Sequence, residues 1–265
     1  MHIAPGTRAL ITGASRGIGR ALAEALAARG AVLGLAARST AELEALAAQL
    51  PGEHHVLECD VADAASVQAA VDGFVAAAGG LDLLVANAGI THYEPFRDQS
   101  LQDARAMTDV NWNGTLHTVH AGLPHLLAGA HGQIVVVSSG AALRSFPGAA
   151  VYGATKAAQR MFAEALRHEL SGTGVSVTVV YPGEIATSLH DHEKERMPTW
   201  YRGGPDALPA SELAEKVLAG IEADARSVHH PPLIRLLGAL HNLSPRSSDA
   251  LLRRLRGASA APRHD

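Results

Sequence analysis

From residue 7 to about residue 230 the chain repeats one alternation: a short continuous apolar run, then a longer stretch with apolar residues at helical spacing. The runs are Arg8–Thr12, Ala31–Ala36, His55–Cys59, Leu81–Ala86, Gln133–Val137 and Val175–Tyr181, with a last short one at Ser227–His230 stopped by Pro231-Pro232. Helices are predicted at Gly17–Arg29, closed by Gly30, and from an N-capping Thr40 to about Leu50, ended by Pro51-Gly52. Further helices are predicted from Asp63 to about Ala78, within Leu101–Leu127, at Val151–Leu170 and at Ser211–Ala223. Strands that are apolar along their whole length have both faces covered, as in a parallel sheet sandwiched by helices. Right-handed crossovers then put helices on both sides. The expected fold is α/β: one doubly wound, mainly parallel sheet. No linker or repeat divides it, so residues 1–256 are read as one domain and 257–265 as a flexible tail.

Aromatic residues make up only 4% of the 265, so the core must be built from Ala, Val, Leu and Ile. A net charge of −4 argues against a nucleic-acid binder, which needs a basic excess. One cysteine, Cys59, cannot form an internal disulfide and is expected to be an inert core thiol in a reducing compartment. Met1–Thr7 has no signal pattern, and no apolar run approaches the roughly 20 residues that span a bilayer. The expected location is the cytoplasm.

The first strand runs into Thr12-Gly13-Ala14-Ser15-Arg16-Gly17-Ile18-Gly19. Glycines between a strand and a helix allow a tight turn and let backbone N–H groups approach a pyrophosphate, with the helix N-terminus behind it. The spacing is G-x-x-x-G-x-G, and the strand–loop–helix context makes this a dinucleotide site of Rossmann type rather than an ordinary turn. An NAD site usually places a carboxylate at the end of the second strand for the ribose 2′-hydroxyl. Here that stretch reads Ala36-Ala37-Arg38-Ser39. Arg38, helped by Arg16, suits a 2′-phosphate, so NADP(H) is expected over NAD(H). Asp60-Val61 follows the third strand, where Asp60 either meets the adenine or caps a helix. Asn87-Ala88-Gly89 follows the fourth, where Gly89 permits close approach and Asn87 either meets cofactor or ties the sheet together.

Ser138-Ser139 ends the fifth strand, at the ligand edge of such a sheet, and Tyr152 and Lys156 follow on a helix one turn apart. Interconverting a carbonyl and an alcohol needs a proton donor at the developing alkoxide and the matching base in reverse. A tyrosine pKa of about 10 is some three units too high for work near neutrality, roughly 4 kcal/mol. A unit charge about 4 Å away, at an effective dielectric of about 20, supplies that much. Lys156 is therefore expected to lower the Tyr152 pKa and Ser139 to orient the substrate oxygen.

Taken together, Thr12–Gly19, Asn87–Gly89, Ser139, Tyr152 and Lys156 resemble the short-chain dehydrogenases/reductases, over roughly Thr7 to Thr187. The resemblance implies a role for Asn111, which would distort a helix and hold a water that relays protons through the lysine. It also implies that Pro182-Gly183-Glu184-Ile185-Ala186-Thr187 meets the nicotinamide end, through the Ile185 backbone and the Thr187 hydroxyl, and that Lys156 binds the ribose. It implies a homodimer or homotetramer, for which the small residues Ala149, Ala150, Gly153, Ala154, Ala157 and Ala158 would allow close helix packing.

The family places a mobile substrate lid between about Ser188 and Pro209, where Met197, Trp200 and Tyr201 would line an apolar pocket opposite Leu143 and Phe146. His190, His192 and His229-His230 lack the further ligands of a metal site, and no metal is expected. The C-terminal stretch, apolar at Leu233–Leu240 and basic at Leu251–Arg256, has three open roles: covering the pocket, packing on a partner subunit, or, ranked last, lying on a membrane surface. The expected activity is an NADP(H)-dependent interconversion of a hydrophobic secondary alcohol and its ketone. A sugar-nucleotide epimerase or dehydratase would need a longer substrate region. A dinucleotide sensor without turnover would tend to have lost Tyr152 or Lys156.

Overall fold

The computed structural model describes residues 1–187 and 207–255, the last five by backbone alone. In chain order the elements are β1 (Arg8–Thr12), α1 (Gly17–Ala27), β2 (Val32–Ala37), α2 (Thr40–Ala47), β3 (His55–Glu58), α3 (Ala64–Ala78) and β4 (Leu83–Ala86). There follow α4 (Leu101–Met107), a π-helical turn (Thr108–Asn113), α5 (Gly114–Ala128), β5 (Gly132–Val137), a 3-10 turn (Gly140–Ala142) and α6 (Ala150–Glu169). The rest comprises β6 (Val175–Pro182), β7 (Ile185–Ala186), β8 (Leu208–Pro209), α7 (Ala210–Glu222), β9 (Ser227–His230), α8 (Leu233–Leu243) and α9 (Pro245–Leu255).

Seven strands form one sheet in the order β3-β2-β1-β4-β5-β6-β9, parallel at every pairing. The chain winds outward from β1 to β3, then crosses back to β4 and winds outward to β9. The loops after β1 and β4 therefore diverge at the carboxyl edge, which leaves a crevice between them. Leu22, Leu26, Leu43, Leu213 and Val217 belong to one buried layer, with α1, α2 and α7 on that face. Val67, Val71, Phe74, Val119 and Leu166 belong to the other, with α3, α5 and α6. Burying each such side chain contributes about 1.5–3 kcal/mol. With so few aromatics, fit comes from small residues: Phe74 lies where a Cβ on Gly34 would meet it at 2.7 Å.

The element order is the expected one, with local differences. Ser39, not Thr40, is the N-cap of α2, while Asp63 caps α3 as expected by accepting from the Ala65 N–H. Helix α1 closes at Ala27, and Gly30 takes up its positive φ only beyond the cap. The segment expected to hold one long helix is continuous from Leu101 to Ala128 but widens to π geometry around Asn111. The C-terminal stretch forms the helices α8 and α9.

Candidate active site

The crevice at the carboxyl edge is a cleft of about 360 Å³, and its base is the turn after β1. Gly13 and Gly17 have φ of 67° and 58°, left-handed values that a side chain would strain. Gly19 is set by space: a Cβ there would lie 2.2 Å from the Gly13 carbonyl oxygen. Asn87 fastens this turn to β4, its amide donating to the carbonyls of Thr12 at 2.9 Å and Gly13 at 3.1 Å. Asn87 thus ties the sheet to the turn, and it also lines the cleft.

From this base the lining runs through nearly every expected position. Gly13, Ser15, Arg16, Gly17 and Ile18 form one side, and Arg38, Asp60, Val61, Asn87, Ala88 and Gly89 the next. Ser139, Tyr152, Lys156, Pro182, Gly183, Ile185 and Thr187 complete it. Gly19 and Asn111 sit behind the lining. Asp60 does not cap α3, which Asp63 does; its carboxylate accepts from the Ala62 N–H at 3.0 Å. Arg16 and Arg38 are exposed at the cleft. The β6 arm closes on the phosphate turn, because a Cβ on Gly17 would lie 3.3 Å from the Thr187 side chain.

At the other end Ser138 clamps α6 to the sheet, donating its hydroxyl to the Lys156 carbonyl at 2.8 Å. Tyr152 and Lys156 therefore face the end of β5. The Ser139 hydroxyl accepts from the Ala141 N–H at 3.1 Å, and its nearness favours the ionised Tyr152 phenol. Lys156 is buried and donates to the Val137 carbonyl at 3.0 Å, with its Nζ 5.9 Å from the centre of the Tyr152 ring. Burial pushes the Tyr152 pKa up, and the Ser139 hydroxyl opposes this only in part. Burial pulls Lys156 down to about 8. The expected effect of Lys156 on Tyr152 is thus corrected. In this state the ammonium is directed at a carbonyl rather than at the phenol, so desolvation governs the phenol.

The Asn111 side chain accepts from the Ile90 N–H at 2.8 Å and donates to the Ile90 carbonyl at 3.0 Å and the Thr155 hydroxyl at 3.1 Å. The helix distortion expected there is present, but the Asn111 carbonyl accepts from Gln159 and Thr115, at 2.8 Å each. Gly89 lies between Asn111 and Lys156: a Cβ there would be 3.2 Å from the Asn111 amide oxygen and 3.5 Å from the Lys156 Nζ.

Several lining residues escaped the sequence reading, among them Glu42, Ile90 and Val110, and Ser39 was quoted there without a role. Ser39 and Glu42 follow directly on Arg38, and their place after β2 was the available signal. Tyr93 was also missed. It is buried and packs edge-on to Tyr152, ring centres 5.7 Å apart, and against Phe146 at 5.6 Å. Phe146 thus packs beside Tyr93, while Leu143 packs beneath Gly238 of α8. Cys59 lines the cleft, and burial raises its thiol to about 11, so it stays protonated. His229 stacks on Tyr181 with ring centres 4.8 Å apart. Met197, Trp200, Tyr201 and the charged run from His190 to Arg196 lie outside the described residues, as does the tail from 257.

A family model described as short chain dehydrogenase matches residues 7–198. The chain belongs to the short-chain dehydrogenase family.

Its relatives include a D-threitol dehydrogenase of Mycolicibacterium smegmatis, 36% identical over 220 residues, which are 78% of this chain and 85% of that protein. A glycine betaine reductase of Emericella nidulans is 38% identical over 187 residues; they are 69% of this chain but only 15% of that much longer protein. Among solved structures, a Burkholderia phymatum short-chain dehydrogenase/reductase in complex with NAD superposes with a TM-score of 0.85 at 27% identity, covering 100% of both chains. A short-chain dehydrogenase from Burkholderia cenocepacia in complex with NADP gives 0.81 at 28% identity, covering 95% of this chain and 99% of that one. The chain is therefore an oxidoreductase of this family, whose members bind NAD or NADP. The residues fit such a dinucleotide: the glycine turn leaves its backbone open to a pyrophosphate, and Gly89 leaves room beside Lys156.

Proposed function

We propose that the protein is an NADP(H)-dependent oxidoreductase that interconverts a hydrophobic secondary alcohol and its ketone, with Tyr152 as the general acid/base. The observation that carries this reading is the meeting of Ser139, Tyr152 and Lys156 in one cleft with the glycine turn. A nicotinamide bound there supplies or takes up the hydride. The chain's own work is with the proton. Ser139 holds the substrate oxygen, and Tyr152 gives its phenolic proton to that oxygen during reduction and takes it back during oxidation. Lys156 would hold the nicotinamide ribose and, when charged, would favour the phenolate. Asn111 acts behind them, holding Ile90 and the helix that carries Thr155. Pro182, Gly183, Ile185 and Thr187 would border the nicotinamide. NADPH oxidation over a panel of hydrophobic ketones tests the reading. Cofactor binding with no turnover on any of them would instead favour a dinucleotide sensor.

Preference for NADP(H) rests on Arg38 and Arg16, two exposed guanidiniums at one end of the cleft with a single carboxylate, Glu42, in the same stretch of lining. A charge-assisted contact to a 2′-phosphate is worth about 1.5–3 kcal/mol. Arg38→Ala is expected to weaken NADPH binding about tenfold or more by fluorescence titration, with NADH affinity within about twofold. Equal affinities in the unaltered protein would remove the basis for this preference.

A second copy has a place to bind. An apolar groove of about 440 Å³ is lined by Phe96, Trp112, Ala150, Val151, Ala154 and Ala158 among others. Phe96 is 64% exposed there. Of the small residues expected to permit helix packing, Ala150, Ala154 and Ala158 line this groove, whereas Ala149 and Gly153 are buried inward. Ala154→Arg is expected to halve the apparent mass on a sizing column without loss of NADPH binding. An unchanged mass would exclude this face as the contact between copies.

A further inference from the structure

Helix α8 has two faces of opposite character. Its inner face packs on the turns beside the cleft. A Cβ on Gly238 would lie 3.0 Å from the Leu143 side chain, and Ile234 comes within 3.3 Å of one on Gly140 and 2.9 Å of one on Gly183. The other face carries Leu233, Leu236, Leu240 and Leu243, which form one stripe at helical spacing and lie opposite the buried Gly238. Leu233 is 56% exposed, Leu236 64% and Leu243 86%. A row of open leucines on a helix marks an interaction surface.

Charge decides what that surface meets. Residues 233–265 hold six arginines, no lysine and two aspartates, a surplus of four positive charges, in a chain whose net charge is −4. The preceding 232 residues therefore carry −8. Arg235 on α8 and Arg246 on α9 are exposed. A two-fold contact between copies through α8 would bring two cationic segments together, whereas an anionic surface would neutralise them. The groove on α6 already offers a second copy an apolar face.

We propose that α8 docks this protein on anionic lipid bilayers, with its leucines in the boundary between headgroups and acyl chains and the exposed Arg235 and Arg246 on the headgroups. The contact is peripheral, since among the described residues no helix is long and apolar enough to cross a membrane. It sets the Ser139 turn on the opposite side of one helix from the lipid, so an apolar substrate dissolved in the bilayer would reach the cleft over a short path.

The test is co-sedimentation of the full chain with vesicles of phosphatidylcholine alone or with one part in three of phosphatidylserine. Binding is expected only with phosphatidylserine and should fall as salt is raised. The double variant Leu236→Glu/Leu243→Glu should weaken it about tenfold or more, and Arg235→Glu about fivefold or more, each with NADPH affinity unchanged to show an intact fold. No binding to either vesicle would overturn the proposal. So would binding that the leucine variant leaves intact, or a leucine variant that halves the apparent mass in lipid-free solution, which would give the face to a second copy.

Discussion

Replacing Tyr152 by phenylalanine is expected to lower kcat for ketone reduction about 10³-fold while leaving the dissociation constant for NADPH within about twofold. The substitution keeps the ring, so the edge-on contact with Tyr93, ring centres 5.7 Å apart, survives and the fold is undisturbed. It removes the hydroxyl that faces the substrate end of the cleft beside Ser139. Among the described residues no other tyrosine lines the cleft, so the proton must come from solvent through a cleft that leaves Tyr152 only 6% exposed. The environment also sets a direction. A phenol whose pKa is raised by burial holds its proton at neutral pH and so suits reduction. Oxidation needs the phenolate, which the fold as it stands opposes. Reduction should therefore be the faster direction at pH 7, and oxidation should gain as pH rises. Steady-state kinetics in both directions on one alcohol–ketone pair measure this. A phenylalanine variant that keeps a tenth or more of the activity would remove Tyr152 from the role of acid.

The parts legible in the sequence are those where one residue type answers a local demand. Continuous apolar runs such as Gln133–Val137 announce strands covered on both faces, and β5 is buried along its length. The glycines after β1 announce a turn no other residue fits, and Gly13 and Gly17 have positive φ there. What stayed hidden depends on distant partners. Tyr93 reads as an ordinary loop aromatic until the fold brings it against Tyr152, some 59 positions on in sequence. Leu143 looks like a pocket residue until α8, roughly 90 residues later, covers it. The error over Lys156 has the same origin. Spacing places an ammonium one turn from a phenol, but only the packed structure shows that both are desolvated and that the ammonium has the Val137 carbonyl as its partner.

Replacing Lys156 by methionine is expected to stabilise the fold at neutral pH and to disable the enzyme at once. The folded protein holds the Lys156 pKa at about 8 against an ordinary 10.5, because burial penalises the ammonium. Between those two values the unfolded chain binds a proton that the folded chain rejects, so stability rises with pH through that window. Below about pH 8 both states bind it, and the penalty, about 3 kcal/mol, is present in full. Methionine fills the same space with no charge and removes that penalty. It also removes the bond to the Val137 carbonyl, 3.0 Å long, which offsets about 1 kcal/mol of the gain. The net expectation at pH 7 is about 2 kcal/mol more stable, read as a higher denaturant midpoint at an unchanged slope. The rise in stability between pH 8 and pH 10.5 seen in the parent should flatten in the variant. Turnover should fall at least about a hundredfold, since the phenol then has no cation to favour its ionised form. A variant less stable than the parent at pH 7 would mean that the buried ammonium is better solvated than its surroundings indicate. A fold that tolerates a buried cation at a net cost, beside a phenol it also desolvates, holds both groups at pKa values displaced from their ordinary ones, so that a bound partner can tip them.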